Sequence, residues 1–321
     1  MDSPESSVSI EIDEIDEYVD NDESDSSQSS IGPNLTMEID DTLLDSFCYI
    51  KGRRYQRSDY FTYFFPNDDE EADRLNYLHL LTRIAWRGNF SSPMHDKLMN
   101  GNAKVLDLGC GTGRWLLDMA EDYPDSTFVG VDISPFFPDS NETPSNVGFL
   151  QCSVNDGLPF PDSTFDFVCL RNMITSVSIY EWERFVKEMI RVVKPGGYIE
   201  MFEMELIYEN SSPEFKCIED LIELGFESTG IVPHLQRSIP PILESIPNLK
   251  DIRSEKISIP VGNWGGKIGE MMAKFYIMTF NTFKLLFTTV LGITDEEYNI
   301  ICDRSSKELK LNYGSYAMSC R

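Results

Sequence analysis

Lysine and arginine are missing from the first 46 residues, which carry 15 Asp and Glu. That stretch accounts for −15 of the formal charge of −27, and the remainder, with 39 acidic and 27 basic residues, for −12. A surface of this sign repels phosphate backbones, so a nucleic-acid partner is not expected. Apolar residues are also scarce there, and Ser24–Ser30 is almost entirely serine and acid. Such a segment cannot offset the entropy of ordering, which predicts a disordered acidic tail over residues 1–46. Its acid-flanked serines make it a candidate contact for a protein partner.

Metal-ligating patterns are absent too. The seven cysteines (48, 110, 152, 169, 217, 302 and 320) form no Cys-x-x-Cys pair, and none of the three histidines stands at zinc-ligand spacing. No metal is expected, and free thiols point to a reducing compartment, cytoplasmic or nuclear. The first residues show neither a basic n-region nor an apolar h-region, so no secretory signal is expected. The long apolar run Met271–Leu291 carries Lys274, Asn281, Lys284 and Thr288 on one helical face. That stripe predicts a helix covering a core rather than a membrane span.

What is present is an alternation of strands and helices in the middle of the chain. Pro66-Asn67-Asp68-Asp69-Glu70-Glu71 reads as a helix start within a helical stretch from about residue 57 to 99. After Gly101-Asn102 come strands at Lys104–Leu108, Thr127–Asp132, Val147–Cys152, Phe165–Leu170 and Tyr198–Phe202. Helices are expected at Trp115–Asp122 and Glu181–Val193, then near 214–224 and 271–291. Extended segments at Lys256–Val261 and Tyr316–Cys320 could complete the sheet. This pitch predicts an α/β fold with a doubly wound, mostly parallel sheet and helices on both faces. The domain layout expected is a tail over 1–46 and one domain over 47–321, divided into a helical cap (47–100), a core (101–205) and a C-terminal cover (206–321).

The first strand runs into Asp107-Leu108-Gly109-Cys110-Gly111-Thr112-Gly113 and then a helix. A dinucleotide site wants a third glycine where Arg114 stands, and a phosphate loop wants Gly-Lys-Ser/Thr, which is missing. Asp-x-Gly-x-Gly-x-Gly suits a ligand with a sugar and an amino acid but no pyrophosphate. Asp132, at the tip of the second strand, can accept hydrogen bonds from both hydroxyls of a ribose, and Ile133 beside it can pack on adenine.

Over roughly residues 100–205 these motifs resemble the class I S-adenosylmethionine-dependent methyltransferases. Leu158-Pro159-Phe160-Pro161-Asp162 before the fourth strand and Val193-Lys194-Pro195-Gly196-Gly197 before the fifth extend the match. Pro66-Asn67-Asp68-x-Glu70-Glu71, Ser178-Ile179-Tyr180-Glu181-Trp182 and Pro260-Val261-Gly262-Asn263-Trp264 are similar to the fungal LaeA-like methyltransferases, a group that includes regulators of secondary metabolism. The resemblance implies a seven-stranded sheet, S-adenosyl-L-methionine as cofactor and a methyl acceptor. It implies Asp107 as organiser of the loop, the backbone of Gly109, Cys110, Gly111 and Gly113 as cradle for the methionine part, and Asp132 as ribose clamp. Ser153 and Val154 would edge the adenine, and Arg171 follows the fourth strand at the point where the sheet reverses order. Ser153 stands where the family usually has Asp; a hydroxyl accepts the same hydrogen bond without charge assistance.

Methyl transfer needs a base only where the acceptor must lose a proton, and His79 and Glu203 are the catalytic candidates. No Asn/Asp-Pro-Pro-Tyr/Phe clamp follows the fourth strand and no Pro-Cys nucleophile occurs in the corresponding loop, which leaves a small-molecule or protein acceptor. The alternative is a regulatory protein of the same fold that binds cofactor and acts through protein partners.

Overall fold

The computed structural model describes residues 47–56, 64–139, 141–209, 212–232, 234–310 and 316–320. The acidic tail expected over 1–46 lies outside them. The described chain starts with an antiparallel hairpin, β1 (Phe47–Ile50) and β2 (Arg53–Gln56), which no alternation in the sequence announces. Helix α1 (Asp69–Trp86) follows, inside the helical stretch read from sequence, of which residues 57–63 lie outside the described residues. Asp68 caps it, accepting from the Glu71 amide at 3.2 Å, with Asp69, Glu70 and Glu71 in the first turn where the positive end of the helix dipole favours them. Arg53 grips the same carboxylate with Nε and Nη2 at 2.5 and 2.8 Å, so the hairpin is tied to the start of the helix. Arg87, at φ 54°, ends the helix in the left-handed conformation.

A short helix α2 (His95–Met99) leads to the sheet strands β3 (Lys104–Leu108), β4 (Thr127–Asp132), β5 (Val147–Gln151), β6 (Phe165–Arg171), β7 (Val193–Glu209), β8 (Lys256–Pro260) and β9 (Tyr316–Cys320). Between them lie α3 (Arg114–Asp122), α4 (Ile179–Val192), α5 (Pro213–Glu227), α6 (Ile239–Glu244), α7 (Gly266–Val290) and α8 (Asp295–Glu308). The sheet order is β5-β4-β3-β6-β7-β9-β8, parallel through β7, with β9 antiparallel to both its neighbours. The expected doubly wound, mostly parallel seven-stranded sheet is therefore present. β6 is buried over six of its seven residues, as a strand covered on both faces should be.

Two layers flank the sheet. On one face α4, opened by a capping box of Ser178 and Glu181, buries Trp182, Phe185, Met189 and Val192 against Leu106, Val168 and Leu170. Each such side chain contributes about 1.5–3 kcal/mol. On the other face α3 buries Trp115, Leu116 and Met119 against Val105, Phe128 and Phe167. A third core joins α1, α5, α7 and α8. In α7 Lys274 and Asn281 are exposed while Phe275, Tyr276, Phe280, Phe283 and Phe287 are buried. No helix among the described residues is long and apolar enough to cross a membrane.

Candidate functional site

Strand order reverses between β3 and β6, so their carboxyl ends diverge and leave a crevice. The glycine loop after β3 forms its floor. Gly109 and Gly113 have φ +69° and +72°, and a Cβ on either would meet Met173 Sδ at 2.2 Å or Phe149 Cε1 at 2.5 Å. Only glycine gives both this backbone and this closeness. Helix α1 lies across the loop: Leu75 approaches Gly111, and the Thr112 hydroxyl donates to Asn76 at 2.7 Å.

Asp132 at the end of β4 faces the loop. One carboxylate oxygen accepts the Gly111 amide at 2.8 Å and the other accepts the Ser134 amide at 2.8 Å. A carboxylate has about four acceptor positions, so both oxygens keep capacity for a ligand. Burial, helped by the nearby Asp107, pushes its pKa up to about 6. Behind it the buried Asn67 donates to the Ser134 hydroxyl at 3.2 Å, and Arg54 of β2 donates to Asn67 Oδ1 at 3.1 Å. A polar chain thus runs from the N-terminal hairpin to Asp132, a role that reading Pro66-Asn67-Asp68 as a helix start does not reveal.

Asp107 is fully buried at the end of β3. Arg171 Nη2 donates to one of its oxygens at 3.3 Å, and the other oxygen has no partner among the described residues. Burial raises the Asp107 pKa and Arg171 opposes that rise. The Arg171 guanidinium sits 4.8 Å from the Trp115 ring, and its Nε also lacks a hydrogen-bond partner among the described residues. Cys110 lines the crevice with a buried thiol whose pKa is pushed up by burial and by Asp132 and Asp107, so it is no nucleophile. Ile133, Ser153 and Val154 also line the crevice. The Ser153 hydroxyl accepts the Asn155 amide at 3.2 Å, capping the turn Val154–Asp156.

The two base candidates fall in different places. His79 lines the crevice from α1, with Nε2 3.0 Å from Asp118 on α3. Arg83 and Arg114 pair with the same carboxylate, and its pKa stays low despite burial because His79 and the two arginines offset that burial. Burial lowers the pKa of His79, and its buried Nδ1 has no partner among the described residues. Glu203 is buried in β7 and does not line the crevice. Its two oxygens accept the amides of Met173 at 2.9 Å and Ile174 at 3.1 Å, in the loop after β6. Gly113 and Asp107 likewise shape the site from behind, while the other predicted residues meet in one cleft. Sequence reasoning missed Glu71 and Arg74, an ion pair at 2.6 Å in the cleft wall, and Asn155, which donates to Glu181.

The methyltransferase domain family matches residues 105–197, the stretch that supplies the glycine loop, Asp132 and β6. Methyltransferase pytC of Aspergillus terreus is 30% identical over 288 residues, covering 84% of this chain and 86% of the relative. The secondary metabolism regulator laeA of Aspergillus fumisynnematus is 26% identical, covering 68% of this chain and 58% of the relative. Among solved structures, phosphoethanolamine N-methyltransferase 2 of Haemonchus contortus, in complex with S-adenosyl-L-methionine, is 17% identical with a TM-score of 0.46, over 78% of this chain and 56% of its own. With a methyltransferase relative 30% identical and aligned along most of both chains, and with the motifs that resemble the family, the chain belongs to the class I S-adenosylmethionine-dependent methyltransferases and is similar to the LaeA-like group.

Proposed function

We propose that the cleft binds S-adenosyl-L-methionine and that the protein transfers its methyl group to an acceptor held in the same cleft. The observation that carries this reading is the set of buried polar atoms at the strand tips that have no partner among the described residues: Asp107 Oδ1, Arg171 Nε and Asn172 Oδ1. Buried groups are normally satisfied, and donors and acceptors of both signs suit the ammonium and carboxylate of an amino-acid moiety. Asp132 would hold the ribose, and Ser153 with Val154 the adenine edge. When bound, the cofactor supplies an electrophilic methyl group on a sulfonium.

The protein's own part is positioning and exclusion of water, which is worth several kcal/mol of barrier. Asp118 holds the Nε2–H of His79, leaving Nδ1 with a lone pair, and burial keeps the ring neutral. His79 is therefore the proton acceptor of this reading. Glu203 acts through the backbone of Met173 and Ile174 as a positioning residue for the cleft wall. The acidic tail is proposed as a separate segment preceding one domain that begins near residue 47. The likeness to the secondary metabolism regulator laeA supports a place in secondary metabolism.

Incubating the purified protein with methyl-labelled S-adenosylmethionine and separate small-molecule and protein fractions of a fungal extract tests the reading. Label in either fraction is expected. Tight cofactor binding with no labelled product in either would favour a binding protein over an enzyme.

A further inference from the structure

The cleft has two halves of opposite chemistry. Around the glycine loop and the β6 tip lie the partnerless polar atoms of Asp107, Arg171, Asn172 and His79. The half between α1 and α7 is walled by Phe65, Leu78, Met204, Phe275 and Phe283. Its polar side chains bond within the wall. Arg74 donates Nε and Nη2 to Glu71 at 2.8 and 2.6 Å, and its guanidinium lies 5.9 and 5.7 Å from the Phe65 and Phe275 rings. Glu71 further accepts the Thr282 hydroxyl at 3.0 Å, and Thr279 donates to the Phe275 carbonyl at 2.9 Å. Among the described residues, none of the partnerless buried side-chain atoms belongs to this half.

Unmet polar atoms mark where a polar ligand is to be completed, and a sealed apolar wall marks where one would be stripped of water with nothing in return. The Glu71–Arg74 pair is neutral overall and its fork is closed, so it offers little to an incoming charge. A lysine or arginine side chain entering this half would lose its hydration with no open acceptor. An uncharged ring system would displace poorly held water and pack on aromatic faces. We propose that the half between α1 and α7 is the acceptor site and that it takes an uncharged, largely apolar aromatic or alicyclic small molecule, not a basic side chain of a protein. This rests on the reading that the other half holds the cofactor.

The test is binding, not turnover. The neutral fluorophore N-phenyl-1-naphthylamine is titrated into protein saturated with S-adenosylhomocysteine, which blocks the cofactor half. One-to-one enhancement of fluorescence is expected. Thr279→Phe, which narrows this half, and Met204→Glu, which places a charge in it, should each weaken the probe by about tenfold or more. Calorimetry should show S-adenosylhomocysteine affinity within about threefold of wild type in both, which also certifies their folding. N-acetyl-lysine methylamide at millimolar concentration should not displace the probe from wild type, an arm that needs no variant. Failure of the probe to bind the saturated wild type, unchanged binding to both folded variants, or displacement by the lysine compound would overturn the inference. Failure of wild type to bind S-adenosylhomocysteine at all would instead overturn the cofactor reading beneath it, and the inference with it.

Discussion

Glu203→Gln should change the protein's stability with a sign that reverses with pH. The carboxyl is 2% exposed and its two oxygens take the amides of Met173 and Ile174. Burial pushes its pKa from 4.5 up to about 8, against those two backbone hydrogen bonds. A carboxyl whose folded pKa is raised weakens the fold as it ionises. The penalty is absent below the unfolded value near 4.5, grows as pH rises, and is complete above about 8. Each tenfold change in proton affinity is worth about 1.4 kcal/mol, so the wild type carries a penalty of a few kcal/mol at pH 9 that glutamine, never charged, does not. Glutamine, however, offers one acceptor oxygen where two amides need one, and an orphaned buried amide costs about 1–3 kcal/mol. The variant should therefore be less stable than wild type at pH 5 and more stable at pH 9. Urea denaturation of both proteins at pH 5, 7 and 9 measures the difference, and the general repulsion of an acidic chain cancels in it. A difference that stays constant across that range would refute the reasoning, because the carboxyl would then not titrate in the folded protein between those limits.

Asn67→Ala should weaken S-adenosylhomocysteine binding several-fold through Ser134 and Asp132, about 1 kcal/mol for one hydrogen bond removed, and calorimetry should show no further loss when it is combined with Asp132→Ala. Ser153→Asp should tighten the same ligand by about 1 kcal/mol, since a carboxylate can both cap the turn after it and accept from adenine with charge assistance; weaker binding would remove Ser153 from the adenine edge. His79→Gln should lower kcat by roughly 10²-fold or more with cofactor affinity nearly kept, provided the acceptor must lose a proton, and an unchanged kcat in a pH-rate series would exclude His79 as base.

The sheet was legible because buried parallel strands are short apolar runs. The parallel strands read at Lys104–Leu108 and Thr127–Asp132 match the structure residue for residue, and so do the bounds of the antiparallel Tyr316–Cys320. The hairpin Phe47–Gln56 was not, since Phe-Cys-Tyr-Ile-Lys-Gly-Arg-Arg-Tyr-Gln shows no clean alternation and its register depends on the turn at Lys51-Gly52, both at positive φ. The glycine loop and Asp132 could be read because local chemistry fixes their spacing. The relation of Asn67 to Ser134, 67 residues apart, leaves no local trace. Glu203 shows the limit from the other side. A carboxylate at the end of the expected fifth strand reads as a site residue, yet β7 continues to Glu209 and the side chain turns to the loop amides behind the cleft. Phe275 and Phe283 sit at helical spacing that signals core; they are core, and they also wall the cleft, a double role that periodicity cannot express.

In the proposed function the glycine loop and Asp132 together hold S-adenosylmethionine. Titration calorimetry of S-adenosylhomocysteine into wild type, Asp132→Asn and Asp132→Ala, with melting curves alongside, tests it most directly. Removing the carboxylate orphans the Gly111 and Ser134 amides, so Asp132→Ala should also lose about 2–4 kcal/mol of stability and must be measured where it remains folded. Wild type should bind one ligand per chain. Asp132→Asn, which keeps one acceptor oxygen, should bind less tightly, and folded Asp132→Ala should lose roughly 3 kcal/mol, about a hundredfold or beyond. Binding by folded Asp132→Ala within about threefold of wild type, or no binding by wild type, would contradict the account.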